Sequence, residues 1–201
     1  MRNKLISVAI LTVGLAACGS PDTADETVAA DVVETATPAP MEAVALLKTA
    51  DGKDVGTATA TQSGEGVMVT VEALGMEPGD HGVHVHTTGA CTPDFAAAGG
   101  HWNPANHKHG MDSVDGQHAG DMPNLTVSAD GTGRLDYMLA GGATFAGLMD
   151  ADGSAFVIHA GPDDQMTDPS GDSGDRLACG VFETSGGTPA TMESGPAPSA
   201  T

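Results

Sequence analysis

The sequence is poor in aromatic and in basic residues. Aromatic side chains make up 3% of its 201 residues, with one Trp and one Tyr. A hydrophobic core must therefore be filled mainly by Val, Ala, Leu, Ile and Met. Seven Lys and Arg stand against 27 Asp and Glu, which gives a formal net charge of −20. Because nucleic-acid binding requires clusters of Lys and Arg at the phosphates, we expect no nucleic-acid partner.

An apolar run at residues 5–17 follows the basic residues Arg2 and Lys4 and ends in small residues. It is too short to span a bilayer comfortably and is typical of an export signal. The run ends in LAAC, which resembles the lipobox of bacterial lipoproteins and implies cleavage before Cys18 with lipid on its sulfur. An ordinary secretory signal cleaved near Ala17 is the alternative. We expect an exported protein of the bacterial cell envelope or periplasm, anchored to a membrane through the lipid.

Composition divides the rest of the chain into a tether, a domain and a tail. Residues 18–40 and 185–201 have too few large apolar side chains to offset the entropy of ordering. We therefore expect a signal peptide at 1–17, a flexible acidic tether at 18–40, one domain at 41–184 and a disordered tail at 185–201.

Within the domain, the pattern is one of short strands separated by turns. The 28 Gly and 12 Pro favour turns over long helices. Val67, Val69 and Val71 alternate with other residues, the period of two that a half-buried strand shows. About eight such strands and no convincing helix predict an all-β fold, an eight-stranded antiparallel sandwich or flattened barrel. The segment from Thr87 to Met122 is too long for a hairpin connection, so we expect metal and a disulfide to hold it in place.

The histidines are concentrated in one stretch of the chain. Seven of the eight lie between His81 and Asp121, and the eighth, His159, lies in a later strand-like run, AFVIHAG. His84 and His86 are two apart on a predicted strand, so both rings leave the same face with Cα atoms about 6–7 Å apart. Both imidazoles can reach one ion, and His159 can complete that set.

A second set of side chains offers a complete zinc shell. Three imidazoles and one carboxylate suit a closed tetrahedral Zn²⁺ site. The members of this set are His101, His109, His118 and Asp121. His81 lies an odd number of residues from His84, so we expect a buried histidine bonded to backbone, whereas His107 is expected in a solvated loop. Any one histidine alone is more simply a surface or hydrogen-bonded residue, but together they predict more than one metal ion.

Several motifs, in their order and spacing, resemble copper–zinc superoxide dismutase: HGVHVH, Cys91, HWNP, KHG, HAGD, VIHAGPDD and GDRLACG. The resemblance covers about residues 42–183. It implies a Greek-key sandwich or flattened barrel with long metal-binding and active-site loops, and copper and zinc as cofactors. The implied reaction converts the superoxide anion to dioxygen and hydrogen peroxide, with copper alternating between two oxidation states.

The resemblance also implies a role for each site residue. The copper ligands would be His84, His86, His101 and His159. His101 would bridge copper and zinc as an imidazolate and act in catalysis with Arg176, which matches the arginine beside the open copper face. Asp163 matches an outer carboxylate that links the two sets of ligand histidines. Cys91 and Cys179 match the disulfide that anchors the long loop.

The sequence departs from the family pattern at Val83 and Trp102, which are both apolar packing positions. The loop between His159 and Arg176 carries five aspartates and no lysine, which weakens long-range guidance of an anion. Two other functions are open at this point: a lipid-anchored binder of copper or zinc without turnover, and an interaction module with structural zinc. A pure binder has no need of Arg176 or a bridging His101, and an interaction module has no need of the copper set. A homodimer is compatible with the sequence, since interface and core apolar residues look alike.

Overall fold

The structure is a computed structural model that describes residues 41–185. The expected signal peptide at 1–17, the lipidation site Cys18 and the tether at 18–40 lie outside the described residues, as does the tail beyond Ser185. Within the described part of the chain, no helix is both long enough and apolar enough to cross a membrane.

Strands dominate the described residues, and all paired strands are antiparallel. The strands are β1 (Glu42–Thr49), β2 (Asp54–Ser63), β3 (Gly66–Leu74), β4 (Gly79–His81), β5 (Val83–His86), β6 (Leu125–Val127), β7 (Thr132–Met138), β8 (Ala155–His159) and β9 (Arg176–Thr184). The helical elements are one 3₁₀ turn at Phe95–Ala98 and one α-helical turn, α1, at Phe145–Leu148. The all-β class is confirmed, with nine strands among the described residues instead of the expected eight.

The ninth strand arises because the run HGVHVH is broken at Gly82 into β4 and β5. A side chain at this position would place its Cβ 2.6 Å from the Ser173 hydroxyl oxygen, which leaves room for glycine alone unless Ser173 moves. The strand order is β4-β6-β7-β3-β2-β1-β9-β8-β5, so the chain changes partner at Gly82 from β6 to β8. The two ends of the sheet are thus consecutive in the chain, and the sheet curves round into a nearly closed, flattened barrel.

The core follows the alternation seen in the sequence. Val67, Val69 and Val71 are fully buried, as the period of two predicts. Val83 and Trp102, the apolar departures from the family pattern, are buried as well. All four residues of β5 and all five of β8 are buried. The histidines on these two strands are therefore held by the most enclosed part of the sheet.

A disulfide joins Cys91 to Cys179, so the predicted pairing is confirmed. The two Cα atoms lie 5.9 Å apart, and the bridge spans 88 residues of sequence. Cys179 belongs to β9, and Cys91 belongs to the long segment after β5. The bridge therefore fixes the start of that segment to the sheet.

Replacing both cysteines by serine is expected to lower the free energy of unfolding of the metal-free protein. Closing a loop of this size removes about 4–5 kcal/mol of chain entropy from the unfolded state, an upper bound for the effect. Denaturation by guanidinium chloride measures the difference, and reduction of the native protein with dithiothreitol should reproduce it. A change under about 1 kcal/mol in both experiments would contradict the prediction.

Candidate metal centre

The long segment between β5 and β6 lies against β5 because backbone hydrogen bonds hold it there. The Trp102 N–H donates to Val85 O (2.8 Å), the Gly120 N–H donates to Trp102 O (2.9 Å), and the Val85 N–H donates to Gly120 O (3.0 Å). Isolated bridges also pair His84 with Asp121 and His86 with His101. Two stretches of chain, around Trp102 and Gly120, are thus held along the outer edge of β5, the last strand in the sheet order.

Four histidines form the first group, which we call the four-histidine group: His84, His86, His101 and His159. One ring nitrogen from each lies within 4.8 Å of those of the others, and all four residues are buried. His84 and His101 stack, with ring centroids 3.8 Å apart. The structure therefore brings together the four residues that the family resemblance implies for copper.

Three rings of the four-histidine group have one nitrogen held by the protein. His84 Nε2 lies 2.5 Å from a carboxylate oxygen of Asp163, and His86 Nδ1 lies 2.9 Å from the carbonyl oxygen of Gly99. His159 Nδ1 lies 3.1 Å from the carbonyl oxygen of Gly174. Such partners fix the tautomer and orientation of a histidine whose other nitrogen binds a metal.

The opposite ring nitrogens are buried and have no hydrogen-bond partner. Among the described residues, the buried side-chain atoms without a partner are Gln165 Oε1 and five ring nitrogens: His84 Nδ1, His86 Nε2, His101 Nε2, His118 Nδ1 and His159 Nε2. An unsatisfied buried polar group costs about 1–3 kcal/mol, so a cluster of them calls for an explanation. Four of the five belong to the four-histidine group, and imidazole nitrogens suit copper. The residues present therefore fit a copper ion.

The second group, which we call the zinc group, consists of His101, His109, His118 and Asp121. The Nδ1 atoms of its three histidines lie 2.9, 3.0 and 3.3 Å from the same carboxylate oxygen, Asp121 Oδ1. A tetrahedral shell with bonds of about 2.0–2.1 Å separates neighbouring ligand atoms by about 3.3 Å. The spacing and the donor types therefore fit zinc, and His101 belongs to both groups.

The rings of the four-histidine group are neutral at physiological pH. Burial lowers the pKa of His84 to about 3, that of His86 to about 2 and that of His159 to about 4. Nearby positive charge adds to this effect, including that of Arg176 on His86 and His159. Since a metal binds only the neutral imidazole, these nitrogens do not have to lose a proton first.

Asp163 joins the two groups through its carboxylate. One oxygen lies 2.5 Å from His84 Nε2 and the other lies 3.0 Å from His109 Nε2. Burial would raise the pKa of Asp163, but hydrogen bonds from His109 and His84 outweigh it and hold the pKa well below its ordinary value. The carboxylate is therefore ionised and orients one histidine of each group, as the resemblance implies.

Two residues that support Asp163 were missed by the sequence reasoning. The Asn124 side chain accepts from the Asp163 N–H (2.7 Å) and donates to the Asp163 carbonyl (2.9 Å). Gly171 has a positive φ of 63°, and a Cβ there would lie 1.9 Å from Asp163 Oδ1. Nothing in the sequence pattern marks Asn124. The glycine-rich run PSGDSG could have indicated a close backbone approach near Gly171.

Replacing Asp163 by asparagine is expected to weaken metal binding by about 10–100-fold, because the two histidines lose the carboxylate that orients them. Competitive titration with a chelator and metal analysis measure the change. Asp164→Asn is the matched control, since Asp164 is exposed and caps its own turn. Equal metal affinity in both variants would rule out this role for Asp163.

Arg176 lies at the start of β9, where its guanidinium reaches the segment after the disulfide. Its Nη1 donates to Phe95 O, and its Nη2 donates to Gly99 O at 2.6 Å. A cavity of about 590 Å³ is lined by Arg176 and by three members of the four-histidine group, His86, His101 and His159. Arg176 is therefore a cationic group on the wall of the cavity that leads to those histidines.

The two histidines kept apart from the ligands lie as expected. His81 is buried, with Nδ1 2.8 Å from His159 O and Nε2 2.9 Å from Glu77 O. The prediction of a buried histidine bonded to backbone is confirmed. His107 is exposed, and its Nδ1 lies 3.0 Å from Gln117 O.

A flattened antiparallel barrel that carries two adjoining ligand groups with one shared histidine defines a two-metal β-barrel protein. The family model described as copper/zinc superoxide dismutase matches residues 55–182. The chain belongs to the copper/zinc superoxide dismutase family, so the predicted oxidoreductase class and the predicted cofactors, copper and zinc, are confirmed.

Relatives of known name agree with this membership. A superoxide dismutase [Cu-Zn] from Caulobacter vibrioides is 42% identical over 148 residues, 70% of this chain and 85% of the relative. The superoxide dismutase-like protein YojM of Bacillus subtilis is 38% identical over 90% of this chain and 96% of its own length. Among solved structures, the Cu/Zn superoxide dismutase from Brucella abortus aligns with a TM-score of 0.60 at 29% identity, covering 71% of this chain and 99% of the other.

Proposed function

We propose that this chain disproportionates superoxide, with copper held by the four-histidine group and zinc by the zinc group. One observation carries the assignment: His84, His86 and His159 each have one ring nitrogen fixed by the protein and the other buried without a partner, and His101 Nε2 is also buried without a partner. That arrangement is the one a metal ligand requires. The overall reaction consumes two superoxide anions and two protons and yields one dioxygen and one hydrogen peroxide.

The metal chemistry divides between the two groups. Bound copper would supply the one-electron redox change that the reaction needs, and bound zinc would orient its ligands without changing oxidation state. His101 belongs to both groups, since its Nδ1 faces Asp121 and its Nε2 faces the four-histidine group. The His101 ring would therefore be a ligand shared by the two metal sites.

Arg176 and His101 are the catalytic residues of this proposal. Arg176 carries a permanent charge, and its planar fork can hydrogen-bond an anion in the cavity. His101 Nε2 would be a copper ligand, and when it is not bound to copper it can hold one proton and deliver it to the reduced product. The second proton comes from water in the open cavity.

Loading the protein with both metals and measuring superoxide decay tests the proposal. We expect catalytic decay that requires copper, with zinc content near one per chain. A protein that binds both metals and leaves superoxide decay at the rate of free buffer would instead be a metal-binding protein without turnover.

We further propose that the chain is exported and lipidated at Cys18 in the bacterial cell envelope or periplasm. The basic residues Arg2 and Lys4, the apolar run at 5–17 and the sequence LAAC support it. The Cys91–Cys179 disulfide agrees with an oxidising compartment. Mass spectrometry of the mature N-terminus should find a diacylglycerol-modified Cys18, and an unmodified terminus would contradict the anchor.

A homodimer stays a prediction that sedimentation tests.

A further inference from the structure

The cavity that leads to the four-histidine group has a second cationic residue besides Arg176. Among the described residues, Lys108 and Arg176 are the Lys and Arg side chains that line it. Lys108 comes from the long segment between β5 and β6 and immediately precedes His109 of the zinc group. This second cation therefore comes from the segment that also carries the zinc group, since the loop before Arg176 contains no lysine.

The charge of Lys108 is masked by Asp168, which lines the same cavity. Lys108 Nζ lies 2.9 Å from Asp168 Oδ2. The other oxygen, Asp168 Oδ1, accepts the His109 backbone N–H at 3.1 Å and lies 3.9 Å from His118 Nε2. Both partners are substantially exposed, at 59% for Lys108 and 41% for Asp168. An ion pair this exposed adds little stability, so its larger effect is on the field at the cavity.

We propose that Asp168 sets the rate at which superoxide enters the site, because it cancels the charge of Lys108 at the cavity wall. The inference rests on the proposed function, since it concerns entry of that same substrate. Paired, the two residues contribute a net charge of zero at the wall. Without Asp168 the wall gains one positive charge, and without Lys108 it gains one negative charge.

The expected size of the effect is that of one unit charge on the cavity wall. A single charge about 10 Å from the reacting anion changes the encounter rate by about two- to four-fold at low ionic strength. The effect fades once the Debye length falls to about 4 Å, near 0.5 M salt. The variants should therefore differ at low salt and converge at high salt.

The experiment compares metal-replete wild-type protein with Asp168→Asn, Lys108→Gln and the double variant. Asparagine keeps a side-chain oxygen for the His109 N–H while removing the charge. At 10 mM salt, we expect kcat/KM to rise about two- to four-fold in Asp168→Asn, to fall by a similar factor in Lys108→Gln, and to return to the wild-type value in the double variant. Asp136→Asn, which removes an exposed ion-paired carboxylate from β7, is the control outside the cavity.

A second readout does not depend on turnover. Azide, a small anion that binds copper, can be titrated by its visible absorption. Its affinity should follow the same order of variants as kcat/KM, so its dissociation constant should be lowest in Asp168→Asn and highest in Lys108→Gln. Zinc analysis of each variant shows whether the zinc group is intact. Unchanged rates and azide affinities in both single variants would overturn the proposal. So would a fall in rate with loss of zinc in Asp168→Asn, because Asp168 would then only hold the zinc segment.

The two proposals can fail separately. Metal-replete wild-type protein without dismutation would overturn the proposed function. The order of azide affinities would still decide for or against masking of Lys108 by Asp168.

Discussion

His159→Ala is expected to lose copper and nearly all dismutase activity while keeping zinc and the fold. His159 belongs to the four-histidine group alone, and its Nε2 is one of the buried nitrogens without a partner. Loss of a residue that merely orients a ligand costs about 10–100-fold in affinity, so removal of the ligand itself should cost about 100-fold or more. Metal analysis, superoxide decay and circular dichroism measure the three properties.

His107→Ala is the matched control for this prediction, since His107 also lines the cavity but belongs to neither ligand group. It should keep both metals and the native activity. Full activity in His159→Ala would mean that the four-histidine group is not the copper site. Loss of zinc together with copper would mean that the two groups are not separable as the structure indicates.

Arg176→Ala is expected to keep both metals and to lose about 90% of the rate or more. Arg176 lies on the cavity wall with a permanent positive charge, and removing such a charge from a charge-lined cleft lowers encounter rates by about 10-fold or more. Its guanidinium also donates to Gly99 O, the carbonyl that holds His86 Nδ1. Copper content must therefore be measured beside kcat/KM to separate loss of guidance from displacement of His86.

Arg176→Lys and Arg176→Gln distinguish charge from hydrogen bonding at this position. If charge dominates, the lysine variant keeps part of the rate and the glutamine variant behaves like alanine. The remaining difference between arginine and lysine reflects the planar fork, which a single ammonium cannot reproduce. An unchanged rate in Arg176→Ala with full copper content would count against the assigned role.

Much of the site could be predicted from the sequence because strand geometry is regular. His84 and His86 share a face since residues two apart on a strand do. His81 lies apart from them, as expected, but it does so because it belongs to β4, before the break at Gly82. The resemblance added residues that no local pattern marks, such as Asp163 and Arg176. The described residues form nine strands instead of the expected eight, because the run HGVHVH changes its pairing partner at Gly82 from β6 to β8.

The sequence by itself determined the all-β class, the ligand types and the family, because these depend on residue identity, period and spacing. Only the tertiary structure decided which ring nitrogens have a hydrogen-bond partner and which have none. It also showed that Asn124 and Gly171 hold Asp163 in place, and that Lys108 pairs with Asp168 at the cavity wall. Lys108 and Asp168 are 60 residues apart in the chain. The physical reason is that such contacts join loops that are far apart in the sequence, and no local periodicity encodes where two loops meet.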